Sequence, residues 1–272
     1  MEILHTNSAD GTRLRLARWG KPGRNLLIVP GLAEHAGRYV YMGEKLAAAG
    51  WQVTCVELRG HGESEGRRGH VRSWMKYVED FQAAAAVAGG DLNPVVVVAH
   101  SMGGLVALDA LRAPVHPPIR ALALCNPLLR SKVQVPGWKR AASGLLSRFL
   151  PFLPIDNELD TAGLTRNTAL VRAYEDDPLV FGTVTPRWFT EHHAAIERVL
   201  AYAPTYHMPL RMMVGTDDIV CDHKAGLDFA GRWGGPAEPV VYDGYYHELF
   251  NEPERDAVIG DMARWLDEQE LS

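Results

Sequence analysis

Short apolar runs recur along the chain, and turn-forming residues follow most of them. Several runs are continuous rather than alternating, which indicates strands buried on both faces, as in a parallel sheet covered by helices. These runs predict strands at 26–29, 53–58, 95–99, 121–125, 210–214 and 240–242. Two earlier runs, 2–5 and 13–19, alternate more between apolar and polar positions, so we expect them to form an antiparallel edge.

Stretches with helical character separate these strands. They predict helices at 38–49, 74–88, 102–111 and 253–268. The last stretch begins with Pro253 in its first turn and continues with acidic residues, which helix starts prefer. Strands that alternate with helices are typical of an α/β fold with a doubly wound sheet.

The alternation is interrupted once. Between 128 and 207 the pattern predicts no strand, and the segment is rich in aromatic residues, prolines and short helical stretches. A segment of that length between two buried strands indicates an inserted helical cap. We therefore predict a core formed by residues 1–127 and 208–272 and a cap, or lid, formed by residues 128–207.

Composition and charge narrow the class of protein. A chain of 272 residues is long enough for one large domain with a sizeable core. Its formal net charge of −5 gives no general attraction to nucleic acid. Neither a signal-peptide core at the start nor an apolar run of membrane-spanning length is present, and the three cysteines lack metal-ligand spacing. We therefore expect a cytoplasmic protein without a metal ion or an organic cofactor.

The stretch VVVVAHSMGGLVAL, residues 95–108, carries the first candidate for chemistry. Ser101 stands where a buried strand ends and a helix begins, with small residues, Ala99 and Gly103, two positions on either side. This is the context in which a G-x-S-x-G pattern presents a nucleophile on a strained turn. The alternative interpretation is that Ser101 caps the helix and the glycines only allow a tight turn.

A serine hydroxyl needs a general base, and the base needs an acid that orients it. In this type of fold the partners follow in the order serine, acid, histidine, each after a strand. The loop after 210–214 contains Asp217 and Asp218, and the loop after 240–242 contains His247. The residues alone leave the choice between the two aspartates open, but the order favours a catalytic triad.

Negative charge on the tetrahedral oxygen requires preorganised donors. We expect one donor to be the backbone N–H of Met102, at the start of the helix that follows Ser101. The second is expected to be the N–H of Leu32, in the loop after the third strand, where Gly31 lets the backbone approach closely. The alternative is that this loop is an ordinary turn between a strand and a helix.

Taken together, the phrases PGLAEHAGRY, ELRGHGESEGRRGH, AHSMGG, GTDDIVCD and YDGYYHELFNEPE resemble the monoacylglycerol lipase and lysophospholipase branch of the α/β hydrolases. The resemblance implies a mostly parallel eight-stranded sheet with a helical cap. It implies Ser101 as the nucleophile, His247 as the base and Asp218 as the orienting acid. The amides of Leu32 and Met102 carry over as the oxyanion hole.

Residues that match Glu34 and Arg38 lie near the polar headgroup in the monoacylglycerol lipases, so the resemblance implies substrate contacts there. The alternative is that Glu34 and Arg38 form an i,i+4 ion pair at the start of a helix. A further headgroup position matches Phe250, which is apolar in this chain. Three other departures are Pro30 where the family usually has His, Glu57 where it has Asp, and Ala99 where it has Gly. The headgroup side is therefore expected to be permissive, whereas the ester chemistry is expected to remain.

These observations predict a serine hydrolase that acts on monoacylglycerols, lysophospholipids or similar single-chain acyl esters. A carboxylesterase for small non-lipid esters, or a proline-releasing aminopeptidase, is the alternative enzyme. A catalytically silent binding protein with the same fold is the alternative outside enzymes, and the complete triad argues against it.

His192 and His193 are expected on the surface of a cap helix rather than at a metal ion. The apolar run 144–154 is expected to pack over the core or to contact a lipid aggregate transiently.

Overall fold

The predicted apolar runs form the central sheet. The computed structural model describes residues 1–89, 93–113, 116–133 and 137–271, and within these ranges ten strands are found. In chain order they are β1 (Glu2–Asn7), β2 (Arg13–Trp19), β3 (Arg24–Val29), β4 (Trp51–Val56), β5 (Val95–His100), β6 (Ile119–Cys125), β7 (Ile155–Asp156), β8 (Thr183–Val184), β9 (Leu210–Gly215) and β10 (Ala237–Tyr242).

Eight of these strands make one sheet in the order β1-β2-β4-β3-β5-β6-β9-β10. β1 with β2 and β2 with β4 are antiparallel, and the remaining neighbours are parallel. The predicted fold class, with its antiparallel edge, is confirmed. β5 lies near the middle of the sheet between β3 and β6, and all six of its residues are buried. Because β3, β5, β6, β9 and β10 run in the same direction, the loops that follow them meet at one edge of the sheet.

Helices cover both faces of the sheet. They are α1 (Val40–Ala48), α2 (Met75–Gly89), α3 (Met102–Leu111), α4 (Gly137–Phe149), α5 (Thr168–Glu175), α6 (Pro186–Tyr202), α7 (His223–Gly231) and α8 (Arg255–Leu271). Side chains of alternate strand residues enter two separate buried clusters: Leu27 and Val29 join α2, α3, α6 and α7, whereas Leu26 and Ile28 join α1 and α8. This two-sided burial explains why the strands read as continuous apolar runs.

Two helix predictions need correction, and one helix was not predicted. The helix predicted at 38–49 begins at Val40, because residues 36–39 form a 3₁₀ turn, and α8 begins at Arg255 rather than Pro253. The sequence pattern did not predict α7, which contains two glycines. One of them, Gly226, packs on β9 so closely that an added Cβ would lie 3.2 Å from Val214 Cγ1. The α7 glycine therefore serves close packing on the sheet, which its low helix propensity conceals.

The segment between β6 and β9 contains α4, α5 and α6 and the small β7–β8 pair, whose strands do not join the central sheet. The helix α6 is bound to the core, because Arg198 Nη2 donates to Asp109 Oδ2 of α3 at 2.8 Å. On its other side α6 holds α4 through the hydroxyls of Ser147 and Thr190, 2.9 Å apart. Residues 134–136 lie outside the described residues, and the proposed division at 128 and 207 stays a prediction.

Within the described residues, no helix is both long enough and apolar enough to cross a bilayer.

Candidate active site

Ser101 occupies the turn between β5 and α3. Its backbone has φ 50° and ψ −118°, a conformation that residues other than glycine rarely adopt. Two hydrogen bonds hold it to the end of β6: the Ser101 N–H donates to Cys125 O at 3.1 Å, and the Leu128 N–H donates to Ser101 O at 3.0 Å. The hydroxyl makes no capping hydrogen bond to the described residues of α3. Ser101 is therefore the N-cap residue of α3 by position, but its side chain does not cap the helix.

The small residue two positions after Ser101 is required by the space around it. A Cβ on Gly103 would lie 2.2 Å from Val29 O and 2.4 Å from Pro30 O. Such distances are below any real contact, so only glycine lets the start of α3 pass the end of β3. The same close approach brings the loop after β3 to the nucleophile position: a Cβ on Gly31 would lie 3.2 Å from Ser101 Cβ.

The structure distinguishes between the two candidate aspartates. His247 Nδ1 lies 2.8 Å from Asp218 Oδ2, and both side chains are buried. The other oxygen, Asp218 Oδ1, accepts hydrogen bonds from the N–H groups of Val220 at 2.7 Å and Cys221 at 2.9 Å. Asp217, in contrast, is exposed, and its carboxylate contacts the hydroxyl of Thr216. Asp218 is thus the acid that is placed to orient His247.

The two partners change each other's ionisation. Burial by itself lowers the pKa of His247, but the charge of Asp218 and the hydrogen bond to it outweigh burial and raise the pKa above its ordinary value of 6.5. Burial likewise acts to raise the pKa of Asp218, but His247 and two backbone N–H groups hold that pKa below its ordinary value. The imidazole is therefore placed beside a carboxylate that stays ionised near neutral pH.

Asn126 connects the loops that carry the acid and the histidine, and the sequence reasoning missed it. Its side-chain N–H groups donate to His247 O at 2.7 Å and Tyr246 O at 3.2 Å, and its Oδ1 accepts from the Gly215 N–H at 2.9 Å. The residue is buried and has φ 42°. The available signal was an asparagine directly after a buried apolar strand, a type that tolerates this backbone conformation and carries both donor and acceptor.

The predicted oxyanion donors lie at the same place. Met102 is the first residue of α3, and the first N–H groups of a helix have no acceptor within that helix. Leu32 lines the same cavity as Ser101 and His247. The following residue, Ala33, has φ 63°, which marks a sharply turned loop. The structure thus brings these two amides near Ser101, and their role as donors stays a prediction.

A cavity of about 700 Å³ opens at Ser101. Its polar lining includes Ser101, His100, His247, Glu34 and Glu248. Apolar residues of the segment between β6 and β9 supply much of the remaining wall, among them Leu146, Leu153, Leu164, Trp188, Phe189 and Ile196. The site therefore combines a buried polar end with a long apolar wall.

Three residues with implied headgroup contacts are found in different places. Glu34 lines the cavity, but its carboxylate is bound by groups of its own loop. Arg38 does not line the cavity; it lies behind Glu34, between that carboxylate and Glu248. Phe250 is buried in the cluster with α1 and α8, because its ring packs under the sheet rather than into the cavity. Direct substrate contact by Arg38 or Phe250 is therefore not what this geometry favours.

Two groups of residues were considered as metal ligands. Asp218, Cys221 and His247 each bring one ligand atom within 4.8 Å of the others. Asp218 Oδ2 and His247 Nδ1 are, however, already hydrogen-bonded to each other at 2.8 Å. His192 and His193 were expected on a cap surface: His193 is exposed, whereas His192 is buried and stacks on Trp188, and both line the cavity. The first group thus fits a proton-transfer site better than a metal site.

Comparison with known proteins agrees with this arrangement. Residues 20–254 match the family model described as "Serine aminopeptidase, S33". The chain is 31% identical over 246 residues to a monoacylglycerol lipase of Mycolicibacterium smegmatis, covering 89% of this chain and 87% of the relative. It is 30% identical over 250 residues to the phospholipase YtpA of Bacillus subtilis, covering 91% and 96%. Some matches are to longer proteins, since the chain spans 28% of an uncharacterized abhydrolase domain-containing protein of Dictyostelium discoideum.

Among solved structures, the chain is similar to a monoacylglycerol lipase of Paleococcus ferrophilus. The TM-score is 0.85 at 27% identity, and the match covers 99% of this chain and 100% of the other.

The position of Asp218 leads to a prediction about His247. Asp218→Asn removes the charge that raises the pKa of His247 but leaves the ring buried, so the pKa should fall below 6.5. Asp217→Asn, one position earlier and exposed, should leave the pKa unchanged. NMR titration of the imidazole signals in both variants measures this. A pKa that falls in the Asp217 variant, or in neither, would contradict the assignment of the orienting acid.

Proposed function

This chain belongs to the serine aminopeptidase S33 family of α/β hydrolases, and on that premise we propose that it cleaves single-chain acyl esters through an acyl-enzyme formed on Ser101. The chain is a serine ester hydrolase. The observation that carries the proposal is the position of the buried Asp218–His247 pair beside the strained Ser101 at the end of an apolar cavity. We propose monoacylglycerols or lysophospholipids as the substrate class.

In the proposed reaction Ser101 Oγ attacks the ester carbonyl carbon while His247 Nε2 accepts the hydroxyl proton. Asp218 holds the imidazole through Nδ1 and stabilises the charge that the ring gains. The N–H groups of Leu32 and Met102 bind the oxygen that becomes negative. His247 then gives the proton to the leaving alcohol as the bond between the carbonyl carbon and the alcohol oxygen breaks. In the second half of the reaction His247 accepts a proton from water, which attacks the acyl carbon; the bond to Ser101 Oγ then breaks, and His247 returns the proton to Ser101 as the acid leaves. The raised pKa of His247 suits a base that works near neutral pH.

The cavity supports an acyl substrate with one chain. A volume of about 700 Å³ with mainly apolar walls suits a single alkyl chain, and glycerides with three chains would leave two chains in water. The relatives named monoacylglycerol lipase and phospholipase support the same class. The alcohol part of the ester is expected to be recognised less selectively, because the charged side chains of Glu34, Glu248 and Arg38 are already paired with one another.

A proline-releasing aminopeptidase is the second candidate, since the family description names a serine aminopeptidase. Such an enzyme must bind the ammonium group of a peptide near the nucleophile. The cavity wall includes four carboxylates: Glu34 and Glu248 are buried and paired with Arg38, whereas Asp156 and Glu158 are exposed. This pairing favours the ester hydrolase over the peptidase.

We also propose a transient contact with lipid aggregates and a cytoplasmic location. The end of α4 and the residues after it expose large apolar side chains: Leu145 is 65% exposed, Phe149 67% and Leu150 52%. A cluster of this kind beside the mouth of an apolar cavity suits adsorption to a lipid surface. Cys55, Cys125 and Cys221 are free thiols, which suits a reducing compartment.

The assignment of Ser101 predicts the outcome of a labelling experiment. A fluorophosphonate should modify Ser101 alone, and Ser101→Ala should lower turnover by about 10⁴-fold or more, because triad members act as a unit. Ser147→Ala is the matched control, since that hydroxyl is buried on α4 away from the cavity. Mass spectrometry of the labelled peptide identifies the serine, and a label on another serine would overturn the proposal.

The apolar wall predicts a dependence on chain length. Each methylene that enters the cavity should gain about 0.8 kcal/mol, so efficiency for nitrophenyl esters and monoacylglycerols should rise from acetyl and then level off. Ile196→Trp fills part of the cavity and should move this limit to shorter chains, whereas Ala194→Trp, exposed on the same helix, should not. Prolyl anilides serve as peptidase substrates. A steady decline from acetyl upward, or faster cleavage of prolyl anilides, would contradict the lipase assignment.

The exposed apolar side chains predict binding to vesicles. The double variant Phe149→Ser and Leu150→Ser should sediment less with phosphatidylcholine vesicles, because it removes apolar surface that would enter the bilayer interface. Its hydrolysis of dissolved nitrophenyl acetate should be unchanged, since neither residue lines the cavity. Val241→Ser, which is exposed on β10, is the control. Equal sedimentation of the wild type and the double variant would exclude the contact.

A further inference from the structure

Glu34 lies three residues after Gly31, in the loop that carries the predicted donor Leu32. Its carboxylate is buried, with the residue 4% exposed. Glu34 Oε2 accepts the Gly31 N–H at 2.6 Å and the Tyr39 O–H at 2.7 Å, whereas Oε1 faces Arg38 Nε at 3.3 Å. The loop therefore folds back on a side chain of its own, and this carboxylate binds the backbone one residue before Leu32.

The space around Gly31 is adapted to this carboxylate. A Cβ at Gly31 would lie 2.9 Å from Glu34 Oε2 and 3.2 Å from Ser101 Cβ. Gly31 therefore packs between the carboxylate of Glu34 on one side and Ser101 on the other. Pro30, which precedes Gly31, has no N–H and no polar side chain that could hold this loop. Support for the loop must come from another residue.

Charge keeps Glu34 in the ionised form that this support requires. Burial alone would raise the pKa of Glu34, but the neighbouring His100, the guanidinium of Arg38 and the donors of Tyr39 and Gly31 lower it to about 2. Arg38 is itself fixed, because its Nη2 donates to both oxygens of Glu248 at 2.7 and 2.6 Å, and its guanidinium lies 4.5 Å from the centre of the Tyr174 ring. Glu248 follows His247 in the chain, so one arginine connects the two loops.

We propose that Glu34 is a positioning residue of the oxyanion hole: it holds the Gly31 amide so that the Leu32 N–H points at the carbonyl oxygen of an ester bound at Ser101. This inference rests on the proposed ester hydrolysis at Ser101. It differs from a headgroup contact, because the hydrogen bonds of Glu34 are made to its own loop and to Arg38. Arg38 bonds both Glu34 and Glu248, so a shift of the loop that carries His247 would also shift the carboxylate of Glu34.

The test compares two esters with the same acyl group and different alcohols, nitrophenyl butyrate and monobutyrylglycerol. Glu34→Gln replaces one acceptor oxygen with an amide, so the Gly31 N–H loses its anionic partner. A donor displaced by about 1 Å costs about 10²-fold in rate. We expect kcat to fall about 10²-fold on both esters with KM changed less than about threefold, since ground-state binding does not use this donor. A loss confined to monobutyrylglycerol would show a headgroup contact and overturn the proposal.

A transition-state analogue gives a second readout. A trifluoromethyl ketone forms a hemiketal on the nucleophile, and its oxyanion occupies the same hole, so its affinity should fall in parallel with kcat/KM. Glu34→Asp keeps the charge and should retain more activity than Glu34→Gln. If affinity for the ketone is unchanged while kcat falls, Glu34 acts elsewhere in the reaction and the inference is wrong.

Loss of fold is controlled by a matched variant. Asp80→Asn changes another buried carboxylate, which lies on α2, is held by Arg59 and does not line the cavity. It should lower the melting temperature at least as much as Glu34→Gln with little effect on kcat. If the control variant and Glu34→Gln lose the same kcat at the same loss of melting temperature, the role of Glu34 is only structural. Failure of the proposed function is seen separately, as absence of fluorophosphonate labelling at Ser101 in the wild type.

Discussion

The site depends on the strained turn at Ser101, where β5 ends in the middle of the sheet and α3 begins. A serine with φ 50° is unfavourable by itself, so the surrounding structure must hold it. Two hydrogen bonds do so, from the Ser101 N–H to Cys125 O at the end of β6 and from the Leu128 N–H to Ser101 O. Gly103 permits α3 to approach the carbonyl groups of Val29 and Pro30 at the end of β3. The strained conformation can persist because the strand before it, β5, is buried and hydrogen-bonded to two parallel neighbours, β3 and β6.

Parallel strand order then decides which loops share that edge. The acid follows β9 and the histidine follows β10, two adjacent parallel strands, so their loops are neighbours. Asn126, directly after β6, joins both loops to the strand beside β5 through hydrogen bonds to Gly215 and His247. One amide side chain thus connects the loops after β9 and β10 to the end of β6.

Buried charge is paired throughout this region. Asp218 is compensated by His247 and two backbone N–H groups, and Arg38 is compensated by Glu34 and Glu248. Leaving any one of these charges unpaired in the interior would be strongly destabilising. The segment between β6 and β9 completes the enclosure: the Glu248 N–H donates to Leu164 O at 2.7 Å, and Glu252 accepts both the Tyr246 N–H and Arg166 Nε. The cavity wall and the histidine loop are therefore held by the same contacts.

The sequence by itself determined the sheet, because continuous apolar runs are required wherever both faces of a strand are buried. It also predicted that Ser101 stands on the turn between a strand and a helix, and that an acid and then a histidine follow it on later loops. Local spacing and chain order carry those signals. It left Asp217 and Asp218 open from the residues alone, and the family resemblance favoured Asp218. Only the tertiary structure decided what depends on distant contacts: the pairing of Asp218 with His247, the role of Asn126, and the cavity face of His192. The same holds for α7, whose glycine looks unfavourable until β9 is packed against it, and for Glu34, whose partners Gly31, Tyr39 and Arg38 converge only when the loop has folded.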